Sequence, residues 1–591
     1  MSNVIIFDFE VFKHDVLLGA ILPDSDKFTY YQTWDKEEIK KFYLEHKDNS
    51  IWVGHNNSGY DNFILQAIVN DKDPKVVSDD IIKNHNVYRK LNIKLYFYDL
   101  MSIKMTGLKT IEAFEGKNIS ETEVDFDLDR SLIQEEREKT ESYNRDDLDQ
   151  TYADFIYLKD NFELRLTLLK EFNLPLDYLN FTEAMLASKV LHAKRINGIE
   201  YNIAKPILYD NLRVSNQDLI DFYMNSIWNE KDENGKRKTF SITLCGTKHK
   251  VAAGGIHGAL ENCQFKEALY IDVSGYYNLI MINYNLLPRS IPQEGKELYE
   301  YLYHEQLKMK KTNPKMRQVF KVILLAVFGA QNNDHSDFYD PSQGDLVRLT
   351  GQMFLVDLLE KLEGKIILVQ SNTDGIIVVP TNGNTKEDII SVAKDWMDRT
   401  GFQAKIENIY DIIQRDVNNY MYRTDKGEIE TRGEALKHYG GENKPFDTDG
   451  YMSKEPLIIP KCIVEYFMDG KSPEEVIEEN KSNLKLFQYI CKRNTFDWME
   501  YEKIDNDSGN IISKKIQHVN RAFAWNDENY RGMVYKYKEN GKKQKVSNLP
   551  DSVFVYNNEI NSIKSSLVLR KKINYNYYIK RAYERILEFL E

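Results

Sequence analysis

Three apolar, β-branched runs in this chain carry acids at or near their ends: NVIIFDFE at residues 3–10, ALYIDV at 268–273 and KIILVQSNTDGIIVV at 365–379. Such runs form buried strands, and a carboxylate there is tolerated only where it meets water, a partner or a cation. The fold is therefore restricted to sheets that present acids at strand ends. At 591 residues the chain also exceeds what one hydrophobic core can serve, so several domains, about three to five, are expected.

Hydrophobic residues make up 42% and charged residues 29%, a balance that predicts folding throughout. A net charge of −13 and a pI near 5.5 exclude a uniformly basic nucleic-acid binder. They leave open a protein that meets phosphate through local basic stripes while collecting carboxylates for metal chemistry. Cys245, Cys263, Cys462 and Cys491 have no zinc or iron–sulfur spacing and read as isolated, reduced thiols. The N-terminus has no basic segment before an apolar run, and no stretch reaches the roughly 18 apolar residues of a membrane span. A cytoplasmic protein, neither secreted nor membrane-embedded, is expected.

Strand and helix patterns alternate over residues 1–160, as in an α/β domain, and a connecting region follows over 161–250 with a solvated turn at NEKDENGKRKT. A β-rich unit starts near Ala268, continues through helical stretches at 295–330 and 346–363, and returns in a hairpin with Asp374 at its tip. From about 456, helical segments and lysine-rich turns describe a smaller domain with a basic, aromatic surface. There is no internal repeat.

Asp8 and Glu10 flank Phe9 on one strand, so both point to the same face, a geometry suited to a shared cation. Asn57-Ser-Gly-Tyr60-Asp61 follows a strand, and Tyr143-Asn-Arg-Asp-Asp147 lies on a helix. DxE, N-x-x-Y-D and Y-x-x-x-D in this order resemble the 3′-to-5′ proofreading exonuclease domain of replicative DNA polymerases. The resemblance implies an RNase H-like fold in which Asp8, Glu10, Asp61 and Asp147 hold two divalent ions. Tyr143 would orient the attacking water, and Asn57 would hold a single-stranded 3′ end. Asp146 competes with Asp147 for the last position; the spacing from Tyr143 favours Asp147.

Asp272 ends one strand and Asp374 sits in a glycine turn, where either alone reads as a turn residue. Between them Lys321 opens KVILLAVFG, an apolar helical stretch. DVSGYY, KVILLAVFG and SNTDG resemble, in order and spacing, the DxxSLYP, KxxxNSxYG and DTDS motifs of family B DNA polymerases. Ala252-Ala-Gly254-Gly255 resembles that family's Y-x-G-G segment, and Asn418-Asn-Tyr420 its K-x-Y primer grip. The likeness covers about residues 3–435.

It implies an α/β and α+β multidomain chain in which the exonuclease precedes a right hand: palm over 251–294 and 341–455, fingers over 295–340, thumb over 456–591. Asp272, Asp374 and the Val273 backbone would bind two Mg2+ ions, with Mn2+ as a substitute. Lys321, Tyr277, Phe328 and Lys308 would face the incoming nucleotide, while Gly254, Gly255 and Tyr420 would face DNA. Of these, Lys308 and its helical neighbour His304 read more simply as a solvated face. The implied partners are primer-template DNA, dNTPs and other replisome proteins, for a monomer working in the cytoplasm, that of an infected bacterial host if the gene is a phage's.

Asn372 replaces the first acid of DTD, and Leu325, Ala326 and Phe328 replace the motif's asparagine, serine and tyrosine. Gly275 and Asn278 depart from the first motif, and Ala252 and Asn418 from the two accessory ones. Asp272 to Lys321 and Lys321 to Asp374 are each roughly fifty residues, too short for the inserted subdomains of protein-primed phage polymerases. An ordinary nucleic-acid primer is therefore expected. Two other readings stay open: an exonuclease with a degenerate polymerase domain, and a silent DNA-binding scaffold of the replisome.

Overall fold

The computed structural model describes residues 3–23, 28–122, 124–437, 439 and 455–591. The chain is a mixed α/β protein of two compact units, one formed by Met1–Asn180, His438–Glu465 and Lys471–Tyr583, the other by Phe181–Lys437, Tyr466–Gly470 and Glu584–Glu591. No helix among the described residues is long and apolar enough to cross a membrane. The four cysteines are unpaired thiols.

The first unit contains a five-stranded sheet of β1 (Asn3–Val11), β2 (Val16–Pro23), β3 (Phe28–Thr33), β4 (Ser50–Gly54) and β5 (Phe97–Asp99), in the order β3-β2-β1-β4-β5. β1 pairs antiparallel with β2 and parallel with β4, which pairs parallel with β5. The step from β3 to β4 passes through helix Lys36–His46, whose N-terminus Asp35 caps by accepting from the Glu37 amide at 2.7 Å. Phe7 and Trp52 meet edge to face at 5.1 Å in the core. One expectation changes: Asp8 and Glu10 lie inside β1 rather than at its end, because the tight hairpin keeps pairing through Val11↔Val16.

Helix Gln134–Tyr157 packs on β1 and β2, with Asn144, Asp147 and Thr151 buried along its inner side. Near its C-terminal end Asp154 is fully buried; Gln150 donates to Oδ1 of its carboxyl at 2.5 Å, and Oδ2 has no hydrogen-bond partner among the described residues. Burial lifts this carboxyl to about 8. A raised acid favours the folded state below its unfolded pKa and loses that advantage as pH rises through the folded value. Asp154→Asn is therefore expected to gain stability over wild type progressively from about pH 4 to about pH 8. Urea denaturation across that window checks this, and a pH-independent difference would contradict it.

The C-terminal part of this unit adds a three-stranded sheet, Tyr489–Lys492, Val519–Ala524 and Val553–Val555. A four-stranded sheet of Trp498–Asp505, Ile511–Ile516, Tyr530–Tyr537 and Lys543–Lys545 accompanies it. The polar loop KIDNDSGN and the turn KENGKKQK fall at hairpin ends of the latter. Arg521 joins this part to helix Leu108–Glu115: it is wholly buried, and its Nη2 donates to the carbonyls of Ala113 and Lys117, both at 2.9 Å.

The second unit is built on a nine-stranded antiparallel sheet: β6 (Phe240–Leu244), β7 (Thr247–Ala252), β8 (Gly255–Ala259), β9 (Cys263–Val273), β10 (Ile366–Ser371), β11 (Gly375–Pro380), β12 (Ala404–Asp416), β13 (Asn419–Thr424) and β14 (Ile429–Arg432). The order is β14-β13-β12-β9-β11-β10-β8-β7-β6, so the longest strands, β9 and β12, lie side by side. Helices Gln293–Thr312 and Pro314–Ala330 pack on each other, and helix Pro341–Leu362 is buried along nearly its whole length. The sequence NEKDENGKRKT forms an exposed turn closed by the Asp232 amide on the Lys236 carbonyl at 2.7 Å.

Candidate functional site

Four acids predicted from separate segments converge in the first unit. Ligand atoms of Asp8, Glu10 and Asp147 lie within 4.8 Å of one another. Asp61 opens helix Asp61–Val69 and accepts from the Phe9 amide at 3.1 Å, which fixes its carboxyl against the strand bearing the other two. Burial, then the Asp61, Glu10 and Asp147 charges, holds Asp8 well above the usual carboxylate range. Glu10 is raised by burial and then by Asp147 and Asp61, and Asp61 itself is lifted to about 7, mainly by burial. Of the rival aspartates, Asp147 turns inward and is buried, whereas Asp146 is exposed.

Three groups that the motifs do not predict complete the cluster. Lys109, on helix Leu108–Glu115, donates to Asp147 at 2.8 Å and pairs with Glu112 at 3.0 Å. Burial works against its charge, but Asp147 and Glu112 outweigh it and keep the ammonium protonated. The Lys109 nitrogen lies 4.7 Å from the centre of the Tyr143 ring, and burial followed by the Asp147 charge pushes the Tyr143 hydroxyl strongly up. Asn144, an unread position of the Y-x-x-x-D pattern, donates to Asp8 at 2.9 Å and accepts from Gln32 at 3.1 Å. Asn57 is wholly buried; its side-chain nitrogen donates to Asn62 at 3.3 Å, and its side-chain oxygen has no hydrogen-bond partner among the described residues.

Gly19 is the third. It faces Asp8 across the hairpin, and a Cβ there would meet Asn144 Oδ1 at 1.8 Å. Gly19→Ala is expected to force helix Gln134–Tyr157 outward, lowering stability by about 1–3 kcal/mol and loosening the acid cluster. Thermal melting with and without Mn2+ checks this: both the melting temperature and its rise on adding the ion should fall.

One ammonium against the four carboxylates, with Glu112 as a fifth on Lys109, leaves a deficit of positive charge, and like charges about 4 Å apart repel by about 4 kcal/mol at an effective dielectric near 20. Protons or a cation must compensate. A set made only of carboxylate oxygens suits hard divalent ions such as Mg2+ or Mn2+.

In the second unit Asp272, on β9, lies opposite Gly375 on β11, and the Val273 amide donates to the Asp374 carbonyl at 2.8 Å. The two predicted acids are thus neighbours. Burial, then the Asp374 charge, raises Asp272, with Lys405 of β12 opposing; Asp374, at the exposed turn, is raised by the protein around it. Tyr277 stacks on Phe328 with ring centres 4.1 Å apart, and the Asp374 charge acts on the Tyr277 hydroxyl. Lys321, Leu325 and Gly329 form the exposed stripe of helix Pro314–Ala330, beside half-buried Phe328.

Asn372, where the motif has an acid, lies close enough to His257 of β8 to favour its charged imidazole, against the burial that lowers it. Tyr420 is buried on β13, within the field of Asp374 and Asp272. Gly254 lies with Ala253 in the β7–β8 turn, and Gly255 opens β8 in the closing pair Ala252↔Gly255. His304 and Lys308 are exposed, and Lys308 pairs with Glu305 at 2.6 Å.

No protein-family model matches this chain, and no curated protein matches it. The buried acid triad therefore defines a candidate divalent-cation site on its own chemistry.

Proposed function

We propose that this chain is a template-directed DNA polymerase of the family B type, extending a primer 3′-hydroxyl with dNTPs, with a 3′-to-5′ exonuclease on the same polypeptide. The observation that carries the reading is the meeting of Asp272 on β9 with Asp374, remote in sequence, in the turn that opens the adjacent strand β11, near the Tyr277–Phe328 stack. In this reading the first unit contains the RNase H-like exonuclease, and the nine-stranded sheet belongs to the palm of a right hand. Asp272, Asp374 and the Val273 backbone would hold Mg2+ or Mn2+, which when bound supplies activation of the primer hydroxyl and charge neutralisation on the triphosphate. Lys321 meets triphosphate charge from its exposed helical stripe. Tyr277, held in place by Phe328, supports the sugar and excludes a 2′-hydroxyl by bulk. Asp8, Glu10, Asp61 and Asp147 would hold the ions of the exonuclease, while Tyr143 orients water.

Primed DNA incubated with the protein, Mg2+ and dNTPs should be extended according to the template, and without dNTPs it should be shortened from its 3′ end. Failure to extend any primed DNA, with shortening retained, favours the second reading, an exonuclease with a degenerate polymerase domain. Asn372 and the exposed Leu325 are the observations behind that alternative. Binding with neither activity would leave a scaffold.

A further inference from the structure

The C-terminal part of the first unit contains a cavity of about 270 Å³ whose chemistry is opposite to that of the acid cluster. Lys485, Lys492 and Lys536 line it, together with the amide side chains of Asn494 and Asn548. None of the three lysines makes an ion pair among the described residues. The one carboxylate in the lining, Glu455, is engaged by Arg581, whose Nε lies 3.1 Å from it.

Several features report positive potential here. Burial holds both the Lys492 and Lys536 ammonium groups below their usual range, with the Cys491 thiol opposing this at Lys536. His518 is depressed by burial and then by Arg493, Lys492 and Lys536, against the opposing charge of Glu121. Beside the cavity, the ammonium groups of Lys536, Lys538 and Lys542 lie 5.9, 5.8 and 5.8 Å from the Phe496 ring centre. A chain with net charge −13 has thus gathered cations around a recess where, among the described residues, the one lining carboxylate is held by Arg581. Half-buried cations without partners are costly, and a bound anion removes that cost.

We propose that this recess is a binding site for a phosphate group, held by Lys485, Lys492 and Lys536 with the Asn494 and Asn548 amides. Phosphate fits because it carries about one and a half to two negative charges at neutral pH and offers several acceptor oxygens to three ammonium groups at once. The site is separate from both acid clusters and does not depend on the polymerase reading. The phosphate is either free, as inorganic phosphate or pyrophosphate, or the terminal monoester of an oligonucleotide.

Amine acylation of the full-length protein in EDTA, read by peptide mass spectrometry, tests this with three probes: inorganic phosphate, pyrophosphate and a short oligonucleotide with or without a 5′-phosphate. Lys492 and Lys536 should be protected, with exposed Lys266 as the unprotected internal control. Protection by the inorganic probes identifies free phosphate as the ligand; protection only by the 5′-phosphorylated oligonucleotide identifies the nucleic-acid terminus. Lys492→Met and Lys536→Met should each weaken binding of the protecting probe about tenfold or more. Unchanged labelling with all probes, or equal binding by wild type and both variants, overturns the proposal. Because protection is read on wild-type protein, poor folding of a variant does not obscure the result.

Discussion

Asp272→Asn should abolish primer extension while leaving the shortening of single strands intact, and Asp8→Asn should do the reverse. Asparagine keeps the shape of either side chain but removes a charge on which cation binding rests, so the affected activity should fall by about 10³-fold or more. Neither loss should come from unfolding. Asp272 is raised by burial and by Asp374, and Asp8 by burial and by Asp61, Glu10 and Asp147, so neutralising either acid relieves repulsion in the metal-free protein. Melting temperatures without metal should therefore be unchanged or higher, and the rise produced by Mn2+ should shrink. Extension by Asp272→Asn at the wild-type rate would remove Asp272 from the reaction. Loss of both activities in one variant would mean that the two acid clusters do not act separately.

Arg521→Met should cost more stability than any other single change considered. The guanidinium is wholly buried among oxygens that are not carboxylates: Gln488 Oε1 at 2.7 Å, the Asn558 carbonyl at 2.8 Å, and the Ala113 and Lys117 carbonyls at 2.9 Å. Burial lowers its pKa to about 10, which still leaves it charged at neutral pH. Methionine fills a similar volume but strands these acceptors, each at about 1–3 kcal/mol, so a loss above about 3 kcal/mol is expected. Two of the acceptors lie at the C-terminal end of the helix bearing Lys109, where a cation also complements the helix dipole. Strand shortening should consequently fall further than extension. Arg521→Lys should lie between, since one ammonium reaches fewer of these oxygens. Urea denaturation of the three proteins decides it; a methionine variant within about 0.5 kcal/mol of wild type would refute the role.

What could be read from sequence was what local pattern encodes. The apolar runs around Asp8 and Asp374 became β1 and the β10–β11 hairpin because alternation and a glycine turn specify such elements without distant help. Tyr143 and Asp147 were legible from one helical turn of spacing, and helix phase then separated Asp147 from Asp146. Lys109 was not legible: its tie to Asp147 depends on how two helices pack, and a lysine in GLKTIEAF has no local mark. Gly19 and Asn144 are informative only as a pair, across the contact that brings them together. The pairing of β12 with β9 joins segments far apart in sequence, which no short window carries. Arg521 reads as an ordinary basic residue because all but one of the partners named above, Gln488, are backbone carbonyls, which every sequence supplies.

The discontinuity of the first unit has a consequence for synthesis on the ribosome. Residues 1–180 emerge first, yet the strand bearing Arg521 is made only after the whole nine-stranded sheet has been translated. Until then the carbonyls of Ala113 and Lys117 lack their donor, and the helix that aims Lys109 at Asp147 is unanchored. The nine-stranded sheet of the second unit, which ends at Arg432, is complete in the chain before that strand is made, although the unit's last segment, Glu584–Glu591, follows it. On the proposed reading, the sheet bearing Asp272 and Asp374 can form before Arg521 arrives to anchor the helix beside the exonuclease acids.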